Sequence, residues 1–191
     1  MKTTLLVAWA EESNRLIGSK NGLPWKIPRD LKLFKERTKG QIVIFGLTTY
    51  ENLPFKPLYE RVNIVIAPEC EPGYTKYTAN IEGEVISHRT PLGVVNAKFG
   101  TQLVFITGVK EAIDFAKQNY PEREIFICGG ASIYKQALEL DLVDEMLVSQ
   151  IPGKYEGDTF FPEFPHMWDR EIIEEYEEDG FVVEKWTKET K

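Results

Sequence analysis

Histidine and cysteine are scarce: the chain has two of each, His88 and His166, Cys70 and Cys128, well separated along the sequence. No pair has the close spacing of a Cys/His metal site, so no structural or catalytic metal is expected. Two cysteines in unrelated contexts make no disulfide framework and read as free thiols in a reducing cytoplasm. Long apolar runs are missing as well. Nothing approaches the roughly 20 residues of a membrane span, and the apolar core of MKTTLLVAWAEES is too short for a signal peptide, reading better as a strand. Positive charge is in deficit, 23 Lys and Arg against 30 Asp and Glu, for a formal net charge of −7. That balance argues against nucleic acid or an acidic membrane as partner, while leaving room for a local basic pocket. The G-x-G-x-x-G fingerprint of Rossmann dinucleotide sites does not occur either.

What is present is ordinary globular material: 191 residues, 42% hydrophobic and 28% charged, enough for one domain with a full core. Apolar, β-prone runs at Thr3 to Ala10, Gln41 to Phe45, Arg61 to Ala67, Gln102 to Ile106, Glu124 to Cys128 and Leu142 to Ile151 read as strands. Between them lie helical patterns from Pro28 to near Gly40, over LTTYENL, over Val109 to Tyr120 and over ASIYKQALEL. Residues 171–178 and 181–188 flank Asp179-Gly180, a hairpin turn signal. Strands alternating with helices predict an α/β fold: a mostly parallel central β-sheet flanked by helices, with an antiparallel C-terminal hairpin. No repeat or linker divides the chain, so residues 1–191 form a single domain. An insertion at about residues 68–102 mixes turn residues with short β-prone pieces and reads as an inserted hairpin or irregular arm.

Two features carry chemistry. The first is Ile17 to Lys35, IGSKNGLPWKIPRDLKLFK. Gly18, Asn21, Gly22 and Pro24 make it turn-rich, Trp25 sits in the loop without a core period, and Pro28 suits a first helical position. In the helix that follows, Asp30, Phe34 and Thr38 share one face with Leu31 beside them. That face is apolar apart from one carboxylate, placed early where the helix dipole favours an anion. It would anchor a planar, donor-rich heterocycle; as a lone first-turn acid, Asp30 could equally be a solvated dipole partner. The second feature is a pair of strand–glycine–helix junctions, Gly46 leading to Thr48 and Thr49, and Gly129-Gly130 leading to Ala131 and Ser132. Glycine lets a ligand approach the backbone, and helix starts present free N–H groups to anions, so together the two could hold a pyrophosphate. Alone, either is an ordinary tight turn.

The run I-G-x-x-N-G-L-P-W-x-I-P-x-D-L-x-x-F-K resembles the active-site loop and following helix of the dihydrofolate reductase family. GLTTYENL and GGASIYKQAL resemble that family's cofactor-phosphate segment and its glycine pair, and YEGDTFFP, residues 155–162, resembles the segment that braces the active-site loop, with Asp158 as the bracing carboxylate. The resemblance covers both ends of the chain and leaves mainly residues 68–102 unmatched. It implies hydride transfer from NADPH to C6 of 7,8-dihydrofolate with protonation at N5. Asp30 would anchor the pterin and Trp25 would hold a water near it as proton source. Leu6, Ala8, Leu31, Phe34, Leu53 and Ser149 would line or support the substrate site, with Arg61 on the glutamate tail of folate and Lys56 assisting. The cofactor would meet Ala8 at its carboxamide and Tyr134 near its nicotinamide. Ile17, Gly18, Asn21, Gly22 and Leu23 would close over it, and Gly46, Thr48, Thr49, Ala67, Cys128, Gly129, Gly130, Ala131, Ser132 and Ile133 would form the rest of its seat. Dihydrofolate would be the small-molecule partner of a monomer, with neither nucleic acid nor membrane involved.

One departure matters. After the first junction glycine the family usually places Arg, which reaches the cofactor phosphates; this chain has Leu47, followed by Thr48. Either His88, Arg89 or Lys98 from the insertion substitutes, or discrimination against NADH is relaxed. Two other readings stay open: a riboflavin-pathway pyrimidine reductase of related fold, and a non-catalytic ligand-binding relative.

Overall fold

The computed structural model describes residues 1–20, 22–67, 79–81, 84–86, 93–97, 101–164 and 167–188, the three short central segments by backbone only. Asn21, Cys70, His88, Arg89, Lys98 and His166 therefore lie outside the described residues. In chain order the elements are β1 (Thr3–Ala10), β2 (Leu16–Gly18), α1 (Pro28–Thr38), β3 (Ile42–Gly46), α2 (Leu47–Glu51), β4 (Val62–Ile66), β5 (Ala79–Ile81), β6 (Glu84–Ile86), β7 (Gly93–Ala97), β8 (Thr101–Ile106), α3 (Val109–Asn119), β9 (Ile125–Ile127), α4 (Ala131–Glu139), β10 (Glu145–Ile151), β11 (Thr159–Phe160), β12 (Trp168–Tyr176) and β13 (Phe181–Lys188).

The main sheet runs β12-β13-β10-β1-β9-β3-β4-β8-β7. The six strands from β10 to β8 are mutually parallel, and β13, β12 and β7 are antiparallel to their neighbours. This is the mostly parallel sheet with a C-terminal hairpin that the alternation of apolar runs predicts. β3 and β4 are buried along nearly their whole length, because helices cover both faces of a parallel sheet. The period of two sends Leu5, Val7, Ile42, Ile44, Ile64 and Ile66 toward α3 and α4, where Ala112, Ile113, Ala137 and Leu138 meet them. Leu6, Val43, Phe45, Val65 and Phe126 go to the opposite face, under Phe34 of α1 and the loop residues Leu53 and Leu58. A third cluster joins Trp25, Ile27 and Leu33 to Phe181, Val183 and Tyr176 of the hairpin, so α1 packs on the C-terminal strands as well.

Two short strands escape the sequence pattern. β2 and β11 pair with each other and have no apolar run of their own, and β7 forms an antiparallel edge on β8. Within the insertion, β5 and β6 pair antiparallel. The hairpin turn spans residues 177–180, with Gly180 at φ +70°, and the strand before it begins at Trp168, three residues earlier than the pattern suggests. Among the described residues no helix is long and apolar enough to cross a membrane.

The sheet does not stay closed. β1 pairs with β10 from Thr4↔Glu145 to Ala10↔Ile151, but with β9 only from Thr3↔Ile125 to Leu5↔Ile127. Beyond Leu5 the two strands part, and a gap opens at the carboxyl end of the sheet. In parallel α/β sheets such an opening at strand carboxyl ends is where ligands bind.

Candidate active site

One bank of the gap is β1. The Lys2 carbonyl accepts from Ile125 N–H on the β9 side, whereas the Thr3 carbonyl accepts from Asp144 on the β10 side. Backbone groups alternate, so Leu6 and Ala8 also face β9. The Leu6 carbonyl there accepts from Tyr134 Oη at 2.8 Å. Ala8 lies beyond the last β9 partner, which leaves its N–H and C=O facing the gap.

The other bank is made by the two glycine junctions, which β3 and β9 bring side by side. Gly46 N–H donates to the Gly129 carbonyl at 2.7 Å, and the Gly129–Gly130 peptide is cis. A Cβ on Gly46 would lie 3.0 Å from Ile133, one on Gly130 3.0 Å from Thr49 Oγ1, and one on Gly129, at φ +108°, 3.2 Å from Tyr134 Oη. A side chain at any of the three would crowd these neighbours, and Gly129 also has the positive φ that favours glycine. The N-cap of α4 is Gly130, with no capping side chain, so the Ala131 and Ser132 N–H groups have no partner within the helix. This cradle suits a phosphate-bearing dinucleotide. Thr49 Oγ1 stands by Gly130, half-buried Cys128 and Ala131 flank the glycine pair in sequence, Thr48 and Ser132 are exposed, and Ala67 is buried just after β4. Burial pushes the Cys128 and Tyr134 protons far up, so both stay neutral.

Asp30 stands above the first bank. Pro28 opens α1 and Asp30 N–H closes its first turn on the Ile27 carbonyl. Burial raises the Asp30 pKa, while a hydrogen bond with Ser149 and the charge of Arg37 lower it. Ser149, itself buried, is opposite Ala8 in the β1–β10 register, which sets the carboxylate at the height of the open Ala8 amide. Phe34, Leu53, Leu58 and Cys128 form an apolar floor with Leu6, and Leu31 and Leu23 stand exposed at the rim. Trp25 is buried, edge-on to Tyr155 at 5.5 Å, and its Nε1 has no hydrogen-bond partner among the described residues.

Other residues act through backbone. Ile17 and Gly18 lie in β2, and Gly22, at φ +104°, turns the chain back on Ser19. A Cβ on Gly157 would fall 2.5 Å from the Gly18 carbonyl, so the bracing segment needs glycine there to lie flat on β2. Asp158 braces through its N–H, 3.3 Å from the same carbonyl, while its carboxylate accepts from Thr159. Arg61 is buried. Nε donates to Thr38 Oγ1 at 2.8 Å, Nη1 to the Tyr59 carbonyl at 2.6 Å and Nη2 to the Lys35 carbonyl at 2.9 Å, which among the described residues leaves one N–H on each terminal nitrogen. Lys56 donates to the Glu51 carbonyl. Asn63 was not anticipated: it holds the loop after α2 by exchanging bonds with Leu58 at 2.8 and 2.9 Å.

The dihydrofolate reductase family model matches residues 4–93 and 84–186. A dihydrofolate reductase of Neisseria gonorrhoeae is 35% identical over 163 residues, 85% of this chain and 80% of that protein. One from Staphylococcus aureus is 29% identical over 84% of this chain and 79% of its own length. The solved structure of the Enterococcus faecalis dihydrofolate reductase complexed with NADP(H) and RAB-propyl superposes with a TM-score of 0.71 at 24% identity, covering 99% of this chain and 97% of that one. A family match reaching both ends of the sequence, and a relative above 30% identity aligned over four-fifths of its own length, agree with the split sheet: the chain belongs to the dihydrofolate reductase family.

Proposed function

We propose that this chain reduces 7,8-dihydrofolate to 5,6,7,8-tetrahydrofolate, consuming one NADPH and one proton and releasing NADP⁺. The observation that carries the reading is Asp30, the acid on the apolar face of α1, tied to Ser149 and set level with the open Ala8 amide. An ionised carboxylate there accepts paired hydrogen bonds from the pterin 2-amino group and N3, fixing the ring against the floor of Leu6 and Phe34. The bound nicotinamide supplies the hydride; the protein's share is orientation and the exclusion of water. Ala8 N–H and C=O are placed for a carboxamide, and the bare backbone of Gly46, Gly129 and Gly130 with the start of α4 for the phosphates. Trp25 Nε1, a buried donor without a protein acceptor, is suited to hold the water that delivers a proton to N5. The free N–H groups of Arg61 suit the carboxylate of the folate tail.

Leu47 opens α2 without a positive charge, so the preference for NADPH over NADH would rest on other groups. Initial rates of dihydrofolate-dependent oxidation of NADPH and of NADH, measured side by side, test both points. Fast turnover with NADPH alone supports the full reading, and comparable rates make Leu47 a relaxation of cofactor choice. No turnover with either refutes the reductase assignment.

A further inference from the structure

We propose that Arg37, tethered by the C-terminal hairpin, is a positioning residue whose charge favours the ionised form of Asp30 against the cost of its burial. The proposal rests on the reading of Asp30 as the pterin anchor. Arg37 follows Asp30 by seven residues, which returns it to the same side of α1, and its charge acts on the Asp30 carboxyl in the direction of ionisation. It does not swing freely. Its side chain is only 15% exposed, and Nη2 donates to Glu174 Oε1 of β12 at 2.5 Å. Glu174 accepts in turn from the Tyr176 hydroxyl, and Tyr176 stacks on Phe181 at 4.9 Å within the cluster that packs against Leu33 of α1. Burial works to raise the Glu174 carboxyl, but Tyr176 and Arg37 outweigh it and hold it ionised.

The neighbours of Asp30 leave this role to Arg37. From β10, Ser149 offers a neutral hydroxyl. From α4, Tyr134 stays protonated, and Cys128 at the end of β9 is a neutral thiol. Arg29, next to Asp30 in sequence, is drawn to the hairpin instead: Nε lies 2.6 Å from Asp179 Oδ2, Nη2 3.6 Å from Glu178, and the guanidinium rests 5.3 Å over the Tyr176 ring. The hairpin acids thus draw one α1 arginine away and fasten the other on the side of the helix that carries Asp30.

The test is a ¹³C-carboxyl NMR titration of Asp30 in the ligand-free protein, assigned with Asp30→Asn, in wild type, Arg37→Met and Arg37→Lys. The Asp30 midpoint should rise in Arg37→Met and stay near wild type in Arg37→Lys, which keeps the charge. In step with this, kcat/KM for dihydrofolate in Arg37→Met should fall at the acidic end of the profile and recover at the alkaline end. If Arg37 merely ties α1 to the hairpin, both variants lose thermal stability while the Asp30 midpoint stays put, and that result overturns the proposal. Should Arg37→Met fail to fold, Arg37→Gln, which keeps an N–H for Glu174, enters the same titration with the same criterion. Because the titration needs no substrate, an absence of turnover would count against the reductase reading and not against Arg37.

Discussion

Burial of Asp30, the proposed pterin anchor, bears on stability, and the effect has a sign. The folded-state pKa of Asp30 lies above the ordinary carboxylate value because burial outweighs the help of Ser149 and Arg37. The folded chain therefore holds that proton more tightly than the unfolded chain does. This side chain's contribution is most favourable below the ordinary carboxylate range and is lost as pH climbs through the raised value. Asp30→Asn should abolish most turnover yet raise the thermal midpoint at neutral pH, by about 2–4 °C for each kcal/mol recovered in a chain of this size. The gain should vanish in acid. A variant no more stable than wild type at pH 7 would show that the carboxylate is not strained by burial. Asp30 and Trp25 stood out in the sequence because their residue types are odd for their places, a single acid on an apolar helix face and an indole in a turn-rich loop, whereas Ser149 was picked out only by the family resemblance. Arg37 was not. In KERTK it looks like any surface cation, and its meaning comes from Glu174, 137 residues further on.

At the scale of elements, α1 is held at both ends. Its start rests on the loop that Trp25 anchors, and its last turn is clasped by Arg61, which satisfies the Lys35 carbonyl and the Thr38 hydroxyl. Arg61→Leu should therefore do two things. It should lower stability in urea, since the buried Thr38 hydroxyl loses its donor while the Lys35 carbonyl keeps the Lys39 N–H, and a buried acceptor left unpaired costs about 1–3 kcal/mol. It should also weaken dihydrofolate far more than a pterin without the glutamate tail. An unchanged urea midpoint would remove the helix clasp, and equal weakening of both ligands would remove the tail contact. The long strands and helices were readable because each buries a continuous apolar run or face. β2, β11 and β7 were not, because a strand of two to five residues at an edge owes its form to its partner: β2 and β11 define each other, and Gly157 lets them meet.

For the molecule as a whole, the two banks of the gap belong to different sides of the sheet, β1 with β10 and the hairpin, β9 with β3, β4 and β8. A cofactor seated on Ala8 and on the glycine cradle binds both, and only the folded chain presents both. NADPH at about 100 times its dissociation constant should then stabilise the protein by about 2.7 kcal/mol, read as a rise in thermal midpoint, and a glycine-cradle variant such as Gly130→Val should lose most of that rise. A stabilisation that survives the substitution would place the cofactor elsewhere. That the sheet would be parallel was visible in the alternation of elements. Where it would part was not, because that depends on β9 ending at Ile127 while β1 runs on to Ala10.

The same parting of β1 from β9 bears on how the chain assembles. The strands β9, β3, β4 and β8 lie on one side of the seam and come from one stretch of the sequence, whereas the other side is stitched from the first and last portions of the chain, with Thr4 opposite Glu145, 141 positions away. The continuous side can gather from shorter loops, and the stitched side must wait for its distant ends to meet, because long loop closures precede the contacts that reward them. The candidate cleft lies along that join, so a nascent chain presents no complete site until β10, late in the sequence, has paired with β1.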